Sequence, residues 1–142
     1  LMPDVVNAIP REAQLTLEMR ALSDQVRTEF AASAQVLGTE IANARGVSFA
    51  MSRTYDQAAV PCDPDLMACL EAAATDEGIN APRLPSGATH DASAMADLCG
   101  ISMLFVRCKD GVSHCPEEYA SDADMDAAIR VTCSYLRRLA AQ

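Results

Sequence analysis

Apolar and polar residues alternate along the chain with two different periods, and the changes of period mark its elements. In Gln14–Arg20, Leu15, Leu17 and Met19 face one way and Thr16, Glu18 and Arg20 the other. That period of two predicts a half-buried strand. From Ser23 or Asp24, a natural N-cap, the period lengthens. Val26, Phe30, Leu37 and Ile41 recur at helical spacing to about Ala44, and Arg45-Gly46 ends the run. Val47, Phe49 and Met51 alternate again and predict a second strand through Arg53. Strand, helix and strand with alternating faces describe an α+β unit whose sheet has one open face.

The texture changes at Gln57–Pro64, QAAVPCDP, where two prolines mark a linker or an element start. Asp63 is a good N-cap and Pro64 suits a first helical turn. Leu66, Leu70 and Ala73 or Ala74 form the stripe of the helix that follows, and Gly78 closes it. A Pro/Ser/Gly loop (Pro85–Ala88) leads to a short Ala-rich helix from about Asp91 to Leu98. Ile101–Val106 is continuously apolar and short, the pattern of a strand buried on both faces of an α/β sheet. The last helix opens at Ser121–Asp124, a capping box with Asp in place of Glu. Its residues Met125, Ile129, Cys133 and Leu136 predict a face packed on the sheet. The chain thus divides into residues 1–57, part of a small α+β domain, and residues 58–142, part of an α/β domain.

Composition narrows the function. With 142 residues, half of them hydrophobic, there is material for a core, and disorder is not expected. A net charge of −9 argues against non-specific binding to nucleic acid or anionic lipid, which requires clustered Lys and Arg. No apolar run approaches the ~20 residues of a membrane-spanning helix, and no secretory signal is visible. The opening LMPDVVNAIP does not look like a domain edge, so the chain reads as a piece of a longer polypeptide. Six cysteines, none in a CxxC pair, are expected as reduced thiols in a cytoplasmic protein. Cys108 and Cys115, which flank one loop, are the two placed to pair.

The chain has two histidines, His90 and His114, each in a loop at the edge of predicted buried structure. Each has acidic neighbours: Asp91 beside His90, Glu117 and Glu118 after His114. Such a histidine is either a polar-tipped packing residue or a functional imidazole whose tautomer a carboxylate fixes. Two histidines alone do not make a zinc site, which takes three or four protein ligands.

SGATHDASAMA, then an apolar strand, then GVSHCPEEY and a terminal helix, resembles the C-terminal part of the metal-dependent amidohydrolases of the M20 peptidase superfamily. The similar branch is that of N-carbamoyl-L-amino-acid hydrolases and allantoate amidohydrolases, which reads SGAGHDA and then GGISHSPEE. The 24-residue separation of His90 and His114 fits. VVNAIPREAQLTLEMR resembles that branch's NVIPGEVxLTLDxR, with Asn7 and Arg20 separated by 13 as there. PCDPDLMACLEAA resembles the segment before its glycine-rich motif. The resemblance implies a Zn-peptidase-like α/β catalytic domain with part of a ferredoxin-like α+β lid that mediates homodimers. It implies that His114 is the last ligand of a site for two divalent ions, zinc or manganese. His90 would contact the substrate and polarise its carbonyl as a catalytic residue. Asn7 and Arg20 would grip a substrate carboxylate. The implied activity is hydrolysis of N-carbamoyl amino acids or related ureido acids, with the catalytic glutamate and other ligands supplied elsewhere. A diverged, non-catalytic binding or assembly subunit of the same fold is the alternative, as is a peptidase or aminoacylase of the superfamily. Three departures bear on this: Thr89 replaces the family glycine before the histidine, Glu18 replaces an aspartate, and Arg107–Asp110 replaces a more neutral loop. Read from the residues alone, without the resemblance, Asn7 is a turn asparagine and Arg20 a solvated strand arginine.

Overall fold

The computed structural model describes residues 1–141, which form two compact units dividing between Ala59 and Val60. In the first unit one helix, α1 (Asp24–Arg45), dominates. Ser23 stays extended (φ −120°, ψ 127°) and its Oγ accepts the Val26 N–H at 3.5 Å. Asp24 in the first turn and Arg45 in the last oppose the helix dipole favourably. Gly46 ends it in the left-handed region (φ 64°), where its N–H meets the Asn43 carbonyl and the Val47 N–H meets Ala42. Those two bonds make a Schellman stop, which requires a residue that tolerates positive φ.

A web of charges ties the start of α1 to the end of the unit. Asp24 Oδ1 accepts from the Ala59 N–H and from Arg27, both at 3.0 Å. Arg27 also pairs with Asp56, which in turn holds Arg53. The predicted apolar stripe of α1 is not covered within the unit. Val26, Phe30, Leu37 and Ile41 are all exposed, and Ala31 and Ala42 are the buried positions of the helix.

In the second unit α2 (Pro64–Asp76) packs on α4 (Asp122–Leu139). The Asp63 carboxylate caps α2 by accepting the Asp65 and Leu66 N–H groups at 2.9 and 3.0 Å. Gly78 (φ 72°) repeats the Schellman stop, with bonds from Gly78 to Thr75 and from Ile79 to Ala74. Ser121 caps α4 by accepting the Asp124 N–H and donating its hydroxyl to the Asp124 carboxylate. Between the helices Leu70, Ala73 and Ala74 meet Val131, with Ile79 and Tyr135 at the margin. Polar links border this core. Asp76 takes Arg138 through two bonds of 2.7 and 2.8 Å and also accepts from Ser134, while Arg130 joins Glu77 and Asp126. Between the two long helices lies the five-residue α3 (Asp91–Met95).

Two sequence expectations change. The buried face of α4 is Val131 and Ser134, whereas Met125, Ile129, Cys133 and Leu136 are exposed. The helix carries two apolar stripes, and α2 covers the one that periodicity from Met125 passes over. The other expectation is burial of Ile101–Val106 on both faces. Ile101 is buried, but Leu104, Phe105 and Val106 are exposed. Gln14–Arg20, Val47–Arg53 and Ile101–Val106 form no strand ladder. Among the described residues the isolated bridge between Met2 and Glu12 is the β pairing present. A helix satisfies its backbone internally; a strand needs a neighbouring chain segment for every bond.

Two outcomes follow from these contacts. Leu70→Ala should cost about 2–5 kcal/mol in urea unfolding, as expected for truncating a core leucine. Ala68→Ser, on the exposed side of α2, should stay within about 0.5 kcal/mol. The second outcome concerns pH. The Ala59 N–H and then Arg27 hold the Asp24 carboxyl below its ordinary value of 3.8. Arg27 and then Arg53 do the same for Asp56 against the opposing effect of burial. Both carboxyls bind protons less readily folded than unfolded, so their stabilisation is complete above the ordinary value and vanishes as pH falls through the lowered ones. The protection factor of the Ala59 amide, its exchange rate relative to the intrinsic rate at the same pH, should therefore hold down to about pH 4 and fall below it. A protection factor unaffected by acid across that range would show that the charges do not hold this segment.

Candidate functional site

The loop that carries His114 leaves Val106 and returns to α4. A 3-10 turn at Lys109–Gly111 opens it, with Asp110 and Gly111 at positive φ. The Lys109 N–H donates to the Tyr119 carbonyl at 2.8 Å and closes the loop at its base. At the tip, His114 is itself left-handed, with φ 59°. That conformation costs an ordinary L-residue about 1–2 kcal/mol. Here it is held by Glu118, whose Oε2 accepts the His114 N–H at 2.8 Å, and by a turn in which the Glu118 N–H donates to Cys115. Glu118 therefore fixes the main chain of His114 and leaves the imidazole in an exposed position. Cys108 and Cys115 are half-buried, and both are free thiols.

His90 is placed differently. It precedes α3 as its N-cap residue, in an extended conformation, and its carbonyl accepts the Ser93 N–H at 2.9 Å. The half-buried ring has two neighbours. Nε2 lies 2.6 Å from Ser86 Oγ, and the Phe105 ring meets it edge-on with centroids 5.7 Å apart. Ser86 Oγ also accepts the Ala88 N–H at 3.1 Å, so the turn before the histidine fixes the hydroxyl. The sequence pointed to Asp91 as the acidic companion of His90; the structure places Asp91 in the first turn of α3 and gives the imidazole to Ser86. Ser86 carried a signal of a kind, a hydroxyl in a Pro-Ser-Gly turn four residues before the histidine. Phe105 carried none, since its apolar run predicted burial and not contact with a functional ring.

Asn7 and Arg20 belong to the first unit. Asn7 is exposed in the loop between Met2 and Glu12, whose ends are joined by bonds from Met2 N–H to Glu12 and from Glu12 N–H to Met2. Arg20 pairs with Glu18, two residues back on the same face. It also lines a groove of about 300 Å³ with Leu17, Met19, Val26, Arg27 and Phe30. Glu18 and Ala21 also line it, so a carboxylate stands beside the two guanidinium groups at its edge. The site residues thus fall in two groups, the histidines in one unit and Asn7 and Arg20 in the other. Among the described residues, no three His, Cys, Asp or Glu side chains gather as a metal ion would need. His114 is a single candidate ligand, and these residues do not by themselves fit a metal centre.

Residues 7–138 match the family model described as Peptidase family M20/M25/M40. The chain is 39% identical over 137 residues to a probable allantoate deiminase of Oryza sativa subsp. japonica, covering 89% of this chain and 28% of that protein. It is 35% identical over 122 residues to an N-carbamoyl-L-amino acid amidohydrolase of Geobacillus stearothermophilus, covering 86% of this chain and 30% of that protein. To an allantoate amidohydrolase of Bacillus subtilis (strain 168) it is 30% identical over 138 residues, covering 97% of this chain and 34% of that protein. In these three comparisons the chain spans 28% to 34% of the relative's length.

The loop geometry makes a specific demand on Glu118. Glu118→Ala removes the acceptor of the His114 N–H, and exchange of that amide should accelerate roughly tenfold, the effect of losing one charged hydrogen bond near the lower end of its usual worth. Glu118→Gln keeps an acceptor oxygen and should stay near wild type. Equal exchange in the alanine variant would mean that Pro116 and the turn hold the histidine unaided.

Proposed function

This chain belongs to peptidase family M20/M25/M40, within the branch of allantoate deiminases and N-carbamoyl-L-amino-acid amidohydrolases, and on that premise we propose that the protein carrying it hydrolyses the terminal C–N bond of ureido acids. The observation that carries the proposal is the likeness, over 86% to 97% of the chain, to relatives named for that chemistry. In this reading the substrate is a small carboxylate-bearing ureide. Arg20 binds its carboxylate through the two parallel bonds of a guanidinium, and Asn7 adds an amide contact. His90 presents a ring N–H to the carbonyl oxygen as charge develops there. His114 is one imidazole ligand of a divalent centre, zinc or manganese, whose other ligands the described residues do not supply.

The fold belongs to the same proposal. Gln14–Arg20 and Val47–Arg53 would be strands of a ferredoxin-like α+β lid, and Ile101–Val106 a strand of an α/β catalytic sheet. A homodimer through the lid and a cytoplasmic setting complete the reading. Thr89 favours a second reading, a binding subunit without turnover. A side chain stands there next to His90 where the resembling motif has glycine.

Ammonia release from allantoate and from N-carbamoyl amino acids tests the proposal on the purified whole protein. Arg20→Lys retains the charge and loses the fork. A charged hydrogen-bonded pair contributes on the order of 1.5–3 kcal/mol, so kcat/KM should fall roughly ten- to a hundredfold on an acid substrate. The same variant should change little on the corresponding amide. Ligand binding without ammonia release would select the non-catalytic reading. Equal losses on acid and amide would remove Arg20 from the substrate.

A further inference from the structure

We propose that Ser86 is a positioning residue that fixes the orientation of His90 and selects its Nδ1–H tautomer; the catalytic consequence rests on the reading of His90 as the group that meets the substrate carbonyl. The Ser86 Oγ to His90 Nε2 distance is 2.6 Å. At that length the two atoms are hydrogen-bonded, and the surroundings of Ser86 set the direction. The Ala88 N–H already donates to Oγ at 3.1 Å and orients it. The hydroxyl proton is then directed to the acceptor nearest to it, Nε2.

A neutral imidazole has one protonated nitrogen. With Nε2 accepting from Ser86, the proton resides on Nδ1, and Nδ1–H becomes the donor available to a substrate oxygen. The ring cannot exchange its two nitrogens freely. The His90 carbonyl is engaged by the Ser93 N–H, which fixes the backbone at the start of α3, and Phe105 lies edge-on against the ring. Four residues of sequence, Ser86 to Thr89, thus form a turn whose hydroxyl returns to the imidazole at its end. Ser86 touches no reacting atom in this scheme. It acts through His90, as the outer partners of functional histidines commonly do.

The test uses the whole protein labelled with ¹⁵N-histidine, with the His90 ring signals assigned by their loss in His90→Asn. Long-range ¹H–¹⁵N spectra at a pH where the ring is neutral should show His90 as Nδ1–H in the wild type and in Ser86→Thr. Ser86→Ala should redistribute the ring toward Nε2–H. Turnover should follow the same order: kcat roughly tenfold lower in Ser86→Ala, KM within twofold, and near-complete rescue by Ser86→Thr. A wild-type ring protonated on Nε2 would overturn the tautomer assignment outright, whatever the activity. An unchanged tautomer in Ser86→Ala would overturn the role of Ser86. Undiminished turnover in His90→Asn would overturn the reading of His90 as the carbonyl contact. The two failures are distinguishable because the wild-type spectrum does not depend on turnover.

Discussion

Both histidine loops depend on the contact between α2 and α4. Ala73 and Ala74 are 0% and 2% exposed against Val131, so small side chains bring the two helices close. From that base the intervening chain is anchored in two steps. The N-cap of α2 donates its own N–H, Asp63 to the Ile101 carbonyl at 2.8 Å, and the Ser102 hydroxyl meets Tyr135 of α4 at 3.0 Å. Residues 101 and 102 are held by the helix pair, and three residues later Phe105 reaches His90. The same helix fixes the other loop. Ser121 caps α4, and two residues before it Tyr119 accepts the Lys109 N–H that closes the loop bearing His114. A loss of packing at Leu70 or Val131 would therefore be felt at two sites neither residue touches.

What was legible in the sequence was what closes locally. Ser23, Asp63 and Ser121 cap their helices as read, and Gly46 and Gly78 stop them, because a cap needs only a side chain and two or three neighbouring residues. The face of α4 that meets α2 was not legible for a different reason. Its residues offer two apolar stripes, and which one is buried depends on Leu70, Ala73 and Ala74 some sixty positions earlier. The strands stand apart again. Alternation at Gln14–Arg20 or Val47–Arg53 tells how a strand would face, but its bonds require a partner that the residue pattern does not name. Of the candidate site, the histidines and Arg20 stand out in the sequence by type and spacing. Ser86 was not assigned to His90, since that contact depends on a turn, and Glu118 was read as an acidic neighbour of His114 but not as the acceptor of its main-chain N–H, which depends on a left-handed backbone at a residue that is not glycine.

Acidity also changes meaning once the contacts are known. A charge of −9 reads as solvated surface. Several of the carboxylates have local duties instead: Asp63 and Asp124 at helix starts, Glu118 on the His114 main chain, Asp76 and Glu77 on the arginines of α4, Asp24 and Asp56 around Arg27. Exposed ion pairs are individually weak. Their value here lies in direction, because each joins segments that the small apolar core does not.

That weakness decides between two arginines in the groove of the first unit. Arg20 and Arg27 both line it. Arg27 is engaged by Asp24 and by Asp56, and those carboxylates raise its already high pKa further, Asp24 first. To bind a ligand it would have to release the contacts that secure the segment ending at Ala59. Arg20 pairs with Glu18 with both side chains well exposed, at 59% and 65%. Such a pair contributes on the order of 0–1 kcal/mol, while a well-formed carboxylate fork is worth about 1.5–3 kcal/mol. A ligand carboxylate that makes two parallel bonds would therefore displace Glu18 at small cost. On these pairs Arg27 is the more firmly held of the two arginines.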